Sequence, residues 1–199
     1  MRQETQGVTQ TLLESARKEF MEYGFHNASM RRISSHSGVS TNSIYTRFGD
    51  KNGLFAAIVE NVAEELMEVY LKSIEAAKHC SGIDGAVDAG ENGTYNVLKY
   101  IYEHHDEIML IFCHAQGTEY EDYFDRLARI EEEYYKEFAG EYNQNGNKID
   151  DFFIHVHCRM GWQYIYELLS HNKSYEEAIA FMKNVTVFHN AGWKAILDL

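Results

Sequence analysis

No proline occurs in the 199 residues of this chain. Proline removes a backbone donor and clashes with the preceding turn, so its absence leaves every helix free to run until something else stops it. Glu, Ala and Leu are plentiful and favour helix. The stops must then come from glycine and from capping side chains, and both can be located. Nothing alternates like a strand for more than a few residues, so the class is all-α.

Val8, Leu12, Leu13, Ala16, Phe20 and Tyr23 recur at three- and four-residue steps and predict a first helix from about Val8 to Tyr23, closed by Gly24 in a left-handed cap. Ser29 caps a second, short helix from Met30 to about Ser37, with Met30 and Ile33 facing inward. Gly38 makes a tight turn. Ser40 caps a third helix starting at Thr41, in which Ile44 and Phe48 face inward. Asp50 caps a fourth that runs from Lys51 through Leu54, Phe55, Ile58, Val62, Leu66 and Val69.

Two short helices around a glycine turn, the second opening on small polar residues, form a helix-turn-helix. The second helix of such a pair enters the major groove amino-terminus first, so its opening residues should be short and able to hydrogen-bond. Thr41, Asn42 and Ser43 qualify, and Asn pairs bidentately with adenine. Tyr45 and Arg47 stand where they reach phosphates, and Lys51 opens a helix whose backbone amides also favour one. Ser29 and Ser40 complete the predicted DNA-contacting set as the caps that present these helices.

Net charge is −13 overall, which looks wrong for a DNA binder. Its distribution resolves this: residues 1–53 carry seven basic and five acidic side chains, hence +2, and the remainder carries −15. An acidic body restricts the orientation in which the head approaches DNA.

The stretch SMRRISSHSGVSTNSIYTRFGDKNGLF resembles the DNA-binding signature of the TetR family of transcriptional regulators. That pattern is matched in register by Ile33, Gly38, Val39, Ser40, Tyr45, Phe48, Lys51 and Leu54. The resemblance covers roughly the first 55 residues. Segments 117–125 and 188–197 also resemble TetR bodies. Two features depart from the pattern. Ser34 and Ser37 replace the usual alanine, which should loosen the packing of the second helix slightly, and Gly49 stands where proline is common. The resemblance implies a three-helix head (residues 1–50) on a helical effector-binding and dimerisation body (51–199), about nine helices in all. It implies a further base or phosphate contact from Arg31. It implies a ligand-responsive repressor, acting as a homodimer on a palindromic operator of double-stranded DNA, with ligand binding tilting the fourth helix.

In the body, the glycine- and acid-rich stretch after Lys78 reads as a loop or frayed end. Further helices are expected at about Tyr95–His104, Asp106–Ala115, Tyr120–Tyr142, Asp150–Ser170 and Tyr175–Leu197. Thr118-x-x-Glu121 and Ser174-x-x-Glu177 read as capping boxes. The last two helices carry broad apolar stripes: Phe152, Phe153, Val156, Met160 and Tyr164 on one, and Ala178, Phe181, Met182, Val185, Phe188 and Gly192 on the other, widened by Ile179 and Thr186. Such surplus suggests a partner, and the resemblance implies that these helices pair across a twofold axis, although a single intramolecular core produces the same pattern.

For an unknown small-molecule effector, residue type selects Tyr100, His104, Phe112, Gln116, Tyr123, His155, Cys158, Arg159 and Trp162, which combine apolar faces with polar tips; each suits ordinary core packing equally well. The run Glu131–Glu133 reads as a solvated face. No cofactor and no metal is expected: His155 and His157 lie two apart on one helix and point away from each other, and no HxxxH or CxxC spacing occurs. Cys80, Cys113 and Cys158 are widely spaced, as free thiols of a cytoplasmic protein are. The polar, mixed-charge start shows no secretory signal, and the longest apolar run, Ile108–Cys113, is too short to cross a bilayer. Two other function classes remain open. A helical protein-interaction adaptor would lack the steep salt dependence of DNA binding, and a metal-dependent helical enzyme or metal sensor would carry stoichiometric metal.

Overall fold

A computed structural model describes residues 2–143, 146 and 149–198. Among these residues every regular element is a helix: α1 (Arg2–Asn27), α2 (Met30–Ser37), α3 (Thr41–Phe48), α4 (Lys51–Lys78), α5 (Gly82–Glu103), α6 (His105–Cys113), α7 (Tyr123–Tyr142), α8 (Asp151–Ser170) and α9 (Tyr175–Leu197). The chain packs as two compact units. One comprises residues 1–65 and 104–123, the other 66–103 and 124–199. This boundary differs from a division at residue 50, because the first turns of α4 and the whole of α6 pack with the head.

In the first unit, Leu12, Ala16 and Phe20 of α1, Ile33 of α2, Ile44 of α3, and Leu54 and Phe55 of α4 are almost fully buried. Phe20, Phe25 and Phe55 form an aromatic cluster with ring centroids 5.1–5.9 Å apart. Tyr120 adds its ring 6.1 Å from Phe55, and the Tyr123 hydroxyl donates to the Ala63 carbonyl at 2.6 Å. Val8 and Tyr23, expected on the inner face of α1, are instead exposed. Gly24 has the predicted left-handed φ of 69°, yet the helix resumes beyond it for one more turn, with the Phe25 N–H donating to the His114 carbonyl at 3.0 Å.

The second unit is built from the rest of α4 with α5, α7, α8 and α9. Phe138, Ile154, Cys158, Trp193 and Leu197 form one core cluster with Ala86. The stretch expected to be a loop is helical: α5 begins at Gly82, thirteen residues before Tyr95. Ala86, Gly93, Val97 and Ile101 recur on its buried face. Gly93 is there for closeness rather than for a turn, since a Cβ at that position would lie 2.8 Å from Cβ of Ser73 on α4. Tertiary packing overrides the weak helix propensity of glycine. The reverse holds at Thr118. No helix begins there, and α7 starts at Tyr123. The Thr118 hydroxyl accepts from the Tyr120 N–H, and Glu121 accepts from Gly117, so the residues expected to cap a helix close a turn. The capping box at Ser174 and Glu177 is present with both of its hydrogen bonds. No helix among the described residues is long and apolar enough to cross a membrane.

Candidate nucleic-acid interface and ligand cavity

The helix-turn-helix is held by its caps. The Ser29 side chain accepts from the Arg32 N–H, and Ser40 accepts from the Ser43 N–H at 3.1 Å while sharing a 2.8 Å hydroxyl contact with Ser43. Gly38 adopts the left-handed φ of 71° that the turn requires. Ser37 does not loosen α2: its hydroxyl accepts from the Val39 N–H at 3.2 Å and ties the turn to the helix end. Gly49, with φ of 78° and an N–H donated to the Tyr45 carbonyl at 2.9 Å, does what proline could not, having neither that φ nor a donor. On α4, Gly53 lets the Phe48 carbonyl approach to 2.0 Å from where a Cβ would stand, so any side chain would push α3 away.

On this frame Asn42, Ser43, Tyr45, Arg47 and Ser40 are exposed, Thr41 is half-buried at the tip of α3, and Arg31 is exposed on α2. The Arg47 guanidinium is hydrogen-bonded to the Thr9 hydroxyl of α1. Thr46 returns its hydroxyl to the Asn42 carbonyl at 2.8 Å, leaving the Asn42 amide at the helix surface. A short helix therefore presents its small polar residues outward, as direct readout of base edges requires.

Lys51 does not fit its expected role. Its ammonium donates to the carbonyls of Phe25, His26 and Ala28 at 2.7, 3.1 and 3.3 Å and lies 4.6 Å from the centre of the Phe25 ring. An ammonium has three donors, and all three are engaged on the main chain that ends α1. Burial lowers the pKa of this lysine. Its place at the opening of α4 suggested a phosphate; the fold uses it to close the end of α1.

Glu19 was not foreseen. Its side chain is 1% exposed and accepts from the Ser29 N–H at 2.7 Å and from Arg32 Nε at 2.8 Å. Burial alone would raise its pKa, but the hydrogen bonds from Arg32 and Ser29 and the positive charge of Arg32 prevail and lower it. Of the two adjacent arginines of α2, Arg32 is thus tied to α1, which leaves Arg31 outward. The signal lay in Glu19 following Ala16 and preceding Phe20 on the buried stripe of α1.

The second unit encloses a cavity of about 190 Å³. Tyr70 of α4, Gly93 of α5, Glu131 and Tyr135 of α7, Trp162 of α8, and His189 and Trp193 of α9 contribute to its wall. Of the nine residues selected for a pocket, Trp162 lines it. Cys158 packs in the core one turn away, its thiol pushed up by burial. Tyr100 borders a separate open groove between α4 and α5. His155 pairs with Glu132 at 2.9 Å, and Arg159 pairs with Asp125. His104, Phe112, Gln116 and Tyr123 belong to the first unit, where Phe112 and Tyr123 meet edge to face. Residue type identified amphipathic side chains, but their direction is set by helix phase.

The run Glu131–Glu133 is a solvated face only in part: Glu133 is exposed, while Glu131 and Glu132 are half-buried. Leu127, Glu131, Tyr135 and Phe138 share one side of α7, and Glu131 is half-buried on the wall of the cavity. Burial pushes its carboxyl up to about 8, partly offset by the nearby Trp162 indole. Nearby, the Tyr70 hydroxyl is buried without a hydrogen-bond partner. The Trp193 indole N–H donates to His157 Nε2 at 3.1 Å, and His157, whose ring lies 4.5 Å from that of His189, is brought down to about 4 by burial and by its histidine neighbour. Burial lowers His189 as well.

Residues 12–58 match the amino-terminal domain of bacterial regulatory proteins of the tetR family. Among characterised relatives, the HTH-type transcriptional repressor AcnR of Corynebacterium glutamicum is 40% identical over 60 residues, which is 30% of this chain and 32% of AcnR. The HTH-type transcriptional regulator UidR of Escherichia coli is 33% identical over 75 residues, 38% of each chain. The chain thus spans about a third of the length of the curated relatives it matches. At the level of fold, a TetR-like transcriptional regulator from Rhodococcus aligns over 93% of this chain and 96% of its own, with a TM-score of 0.59 and 17% identity. The fatty acid degradation regulator FadR of Bacillus halodurans aligns over 89% and 95%, with a TM-score of 0.56 and 14% identity. The domain behind the exposed α3 tip is thus similar to the amino-terminal domain of the tetR family, and the chain as a whole shares the fold of TetR-like regulators.

Proposed function

We propose that this protein is a ligand-responsive transcriptional repressor of the cytoplasm that reads a symmetric operator as a homodimer. The observation that carries the reading is the tip of α3, where Asn42 and Ser43 are exposed beside a half-buried Thr41, on a helix-turn-helix closed by serine caps. A single head of this size binds weakly, so two heads spaced roughly 34–36 Å apart for successive major grooves are needed. Support for pairing comes from α8 and α9. Phe152, Val187 and Phe188 are about 70% exposed, and Phe153, Val156, Met160 and Phe181 lie open beside them, while Ala178 and Met182 turn into the core of their own chain. The expected stripe on α9 is therefore two stripes, one used internally and one suited to a second copy. The cavity of the second unit is the effector site in this reading. Tyr70, Ser73, Ile74 and Ala77 on its wall belong to α4, whose first turns pack in the head, so occupancy bears on a helix that starts in the head. The role is binding rather than catalysis.

The test is a gel shift with DNA from upstream of the protein's own gene, at low salt. Wild type should shift it and Asn42→Ala should redistribute preference among operator variants by about 1–3 kcal/mol at the contacted base pair. No shift by wild type sinks the reading.

A further inference from the structure

Resting on the reading of this cavity as the effector site, we propose that it takes a compact organic cation: one aromatic ring bearing a short aminoalkyl arm, its ammonium paired with the Glu131 carboxylate. Size comes first. An engineered apolar cavity of about 150 Å³ accommodates benzene, so the 190 Å³ here has room for one ring and a short arm.

The wall supplies the chemistry. Tyr70, Tyr134, Tyr135 and Trp162 place aromatic faces and edges around Glu131, with Tyr70 and Trp162 edge to face at 5.0 Å. Such surroundings favour a cation, which gains from the ring quadrupoles when desolvated. Glu131 is the half-buried acid among them, and among the described residues no base pairs with it. A carboxyl held neutral by burial, beside a hydroxyl left without a partner, is an unfinished site, since buried polar groups are ordinarily satisfied.

An anion would find no matching partner inside. His189, the histidine on the wall, is driven toward its neutral form by burial, and Lys194 of α9 lies exposed at the rim. The other titratable groups facing the space are Tyr70 from α4, Glu91 from α5, Tyr134 and Tyr135 from α7, and Tyr164 from α8, with Cys158 behind. In the range where Glu131 titrates, the buried tyrosines and Cys158 stay neutral, because burial raises each of them. When the amine enters, Glu131 gives up its proton to solvent and the ammonium replaces it as the carboxylate's partner.

Calorimetry on the full chain, without DNA, tests this with three probes of one shape: phenethylamine, phenethyl alcohol and hydrocinnamate. The amine should bind at least about tenfold more tightly than the other two, since an unmatched buried charge pair is costly. At neutral pH close to one proton should be released per amine bound, read from the enthalpy difference between phosphate and Tris buffers, and affinity should rise with pH until about 8. Glu131→Gln should weaken the amine at least about tenfold and abolish proton release while leaving phenethyl alcohol within about threefold. Tighter binding of hydrocinnamate, equal binding of amine and alcohol, no binding of any probe, or amine binding by wild type without proton release overturns the proposal. The buffer comparison uses wild type alone, so it holds whatever Glu131→Gln does to folding. Because no DNA is present, failure of the gel shift above leaves this result standing, and failure here leaves operator binding intact.

Discussion

Two glutamates, Glu19 buried and Glu131 half-buried, set the two units apart. Glu19, in the first unit, is met by the Ser29 N–H and by Arg32 and is held charged. Glu131, in the second, faces a cavity and is held neutral by burial. The same contrast runs through their surroundings. In the head Lys51 spends its three donors on three carbonyls, and Thr118 both donates and accepts within its turn. In the body Tyr70 keeps a buried hydroxyl without a partner. Satisfied polar groups specify one arrangement; unsatisfied ones cost stability until something binds them. Glu19 and Lys51 are of the first kind, and the Tyr70 hydroxyl is of the second.

The sharpest way to break this comparison is Lys51→Ala. If the head's polar groups are spent internally, the variant should lose about 2 kcal/mol in urea unfolding, the scale of hydrogen bonds to a charged group. The salt dependence of its operator binding should keep the wild-type slope. Unchanged stability with a slope shallower by about one would return Lys51 to the phosphate backbone.

Next in size is the pH dependence of stability, where the two glutamates act with opposite sign. Glu19 has a lowered folded pKa, so its contribution is present above the ordinary carboxylate range and fades as pH falls through the folded value. Glu131 is raised from 4.5 to about 8, so between those values the unfolded chain releases a proton that the folded chain keeps. Its contribution therefore declines as pH rises through that window, by at most about 1.4 kcal/mol per pH unit, and is constant above it. The lowered histidines, His157 and His189, act oppositely and only toward lower pH. Urea unfolding of wild type and Glu131→Gln from neutral pH to about 8 should give curves that diverge, with the variant gaining on wild type as pH rises. Parallel curves would show that Glu131 is ionised and solvated.

Smallest is Tyr70→Phe, which deletes the unpartnered hydroxyl and should raise stability by up to about 1 kcal/mol. A loss of that size would mean the hydroxyl is satisfied and the body is no less saturated than the head.

The head was readable because its instructions are local. Serines at 29 and 40, Asp50, and glycines at 24, 38 and 49 act within a turn of themselves, and each acts where it stands. The apolar steps of α1, α2 and α3 named Leu12, Phe20, Ile33 and Ile44 as core, and all four are buried. Lys51 misled because its local position was right for a phosphate while its partners lie more than twenty residues away.

In the body, residue type was legible but direction was not. The chain alone established an all-helical fold, the capped reading helix, the Ser174 capping box and a surplus of apolar surface on α8 and α9, because periodicity and capping depend on neighbours within four residues. Only tertiary structure decided that glycine-rich α5 is a helix, that Glu131 lines the cavity, and that Trp162 rather than His155 or Arg159 meets it. Those outcomes depend on which faces of distant helices come together, as at Gly93 against Ser73, and burial, not sequence spacing, then fixes whether a carboxyl carries its charge.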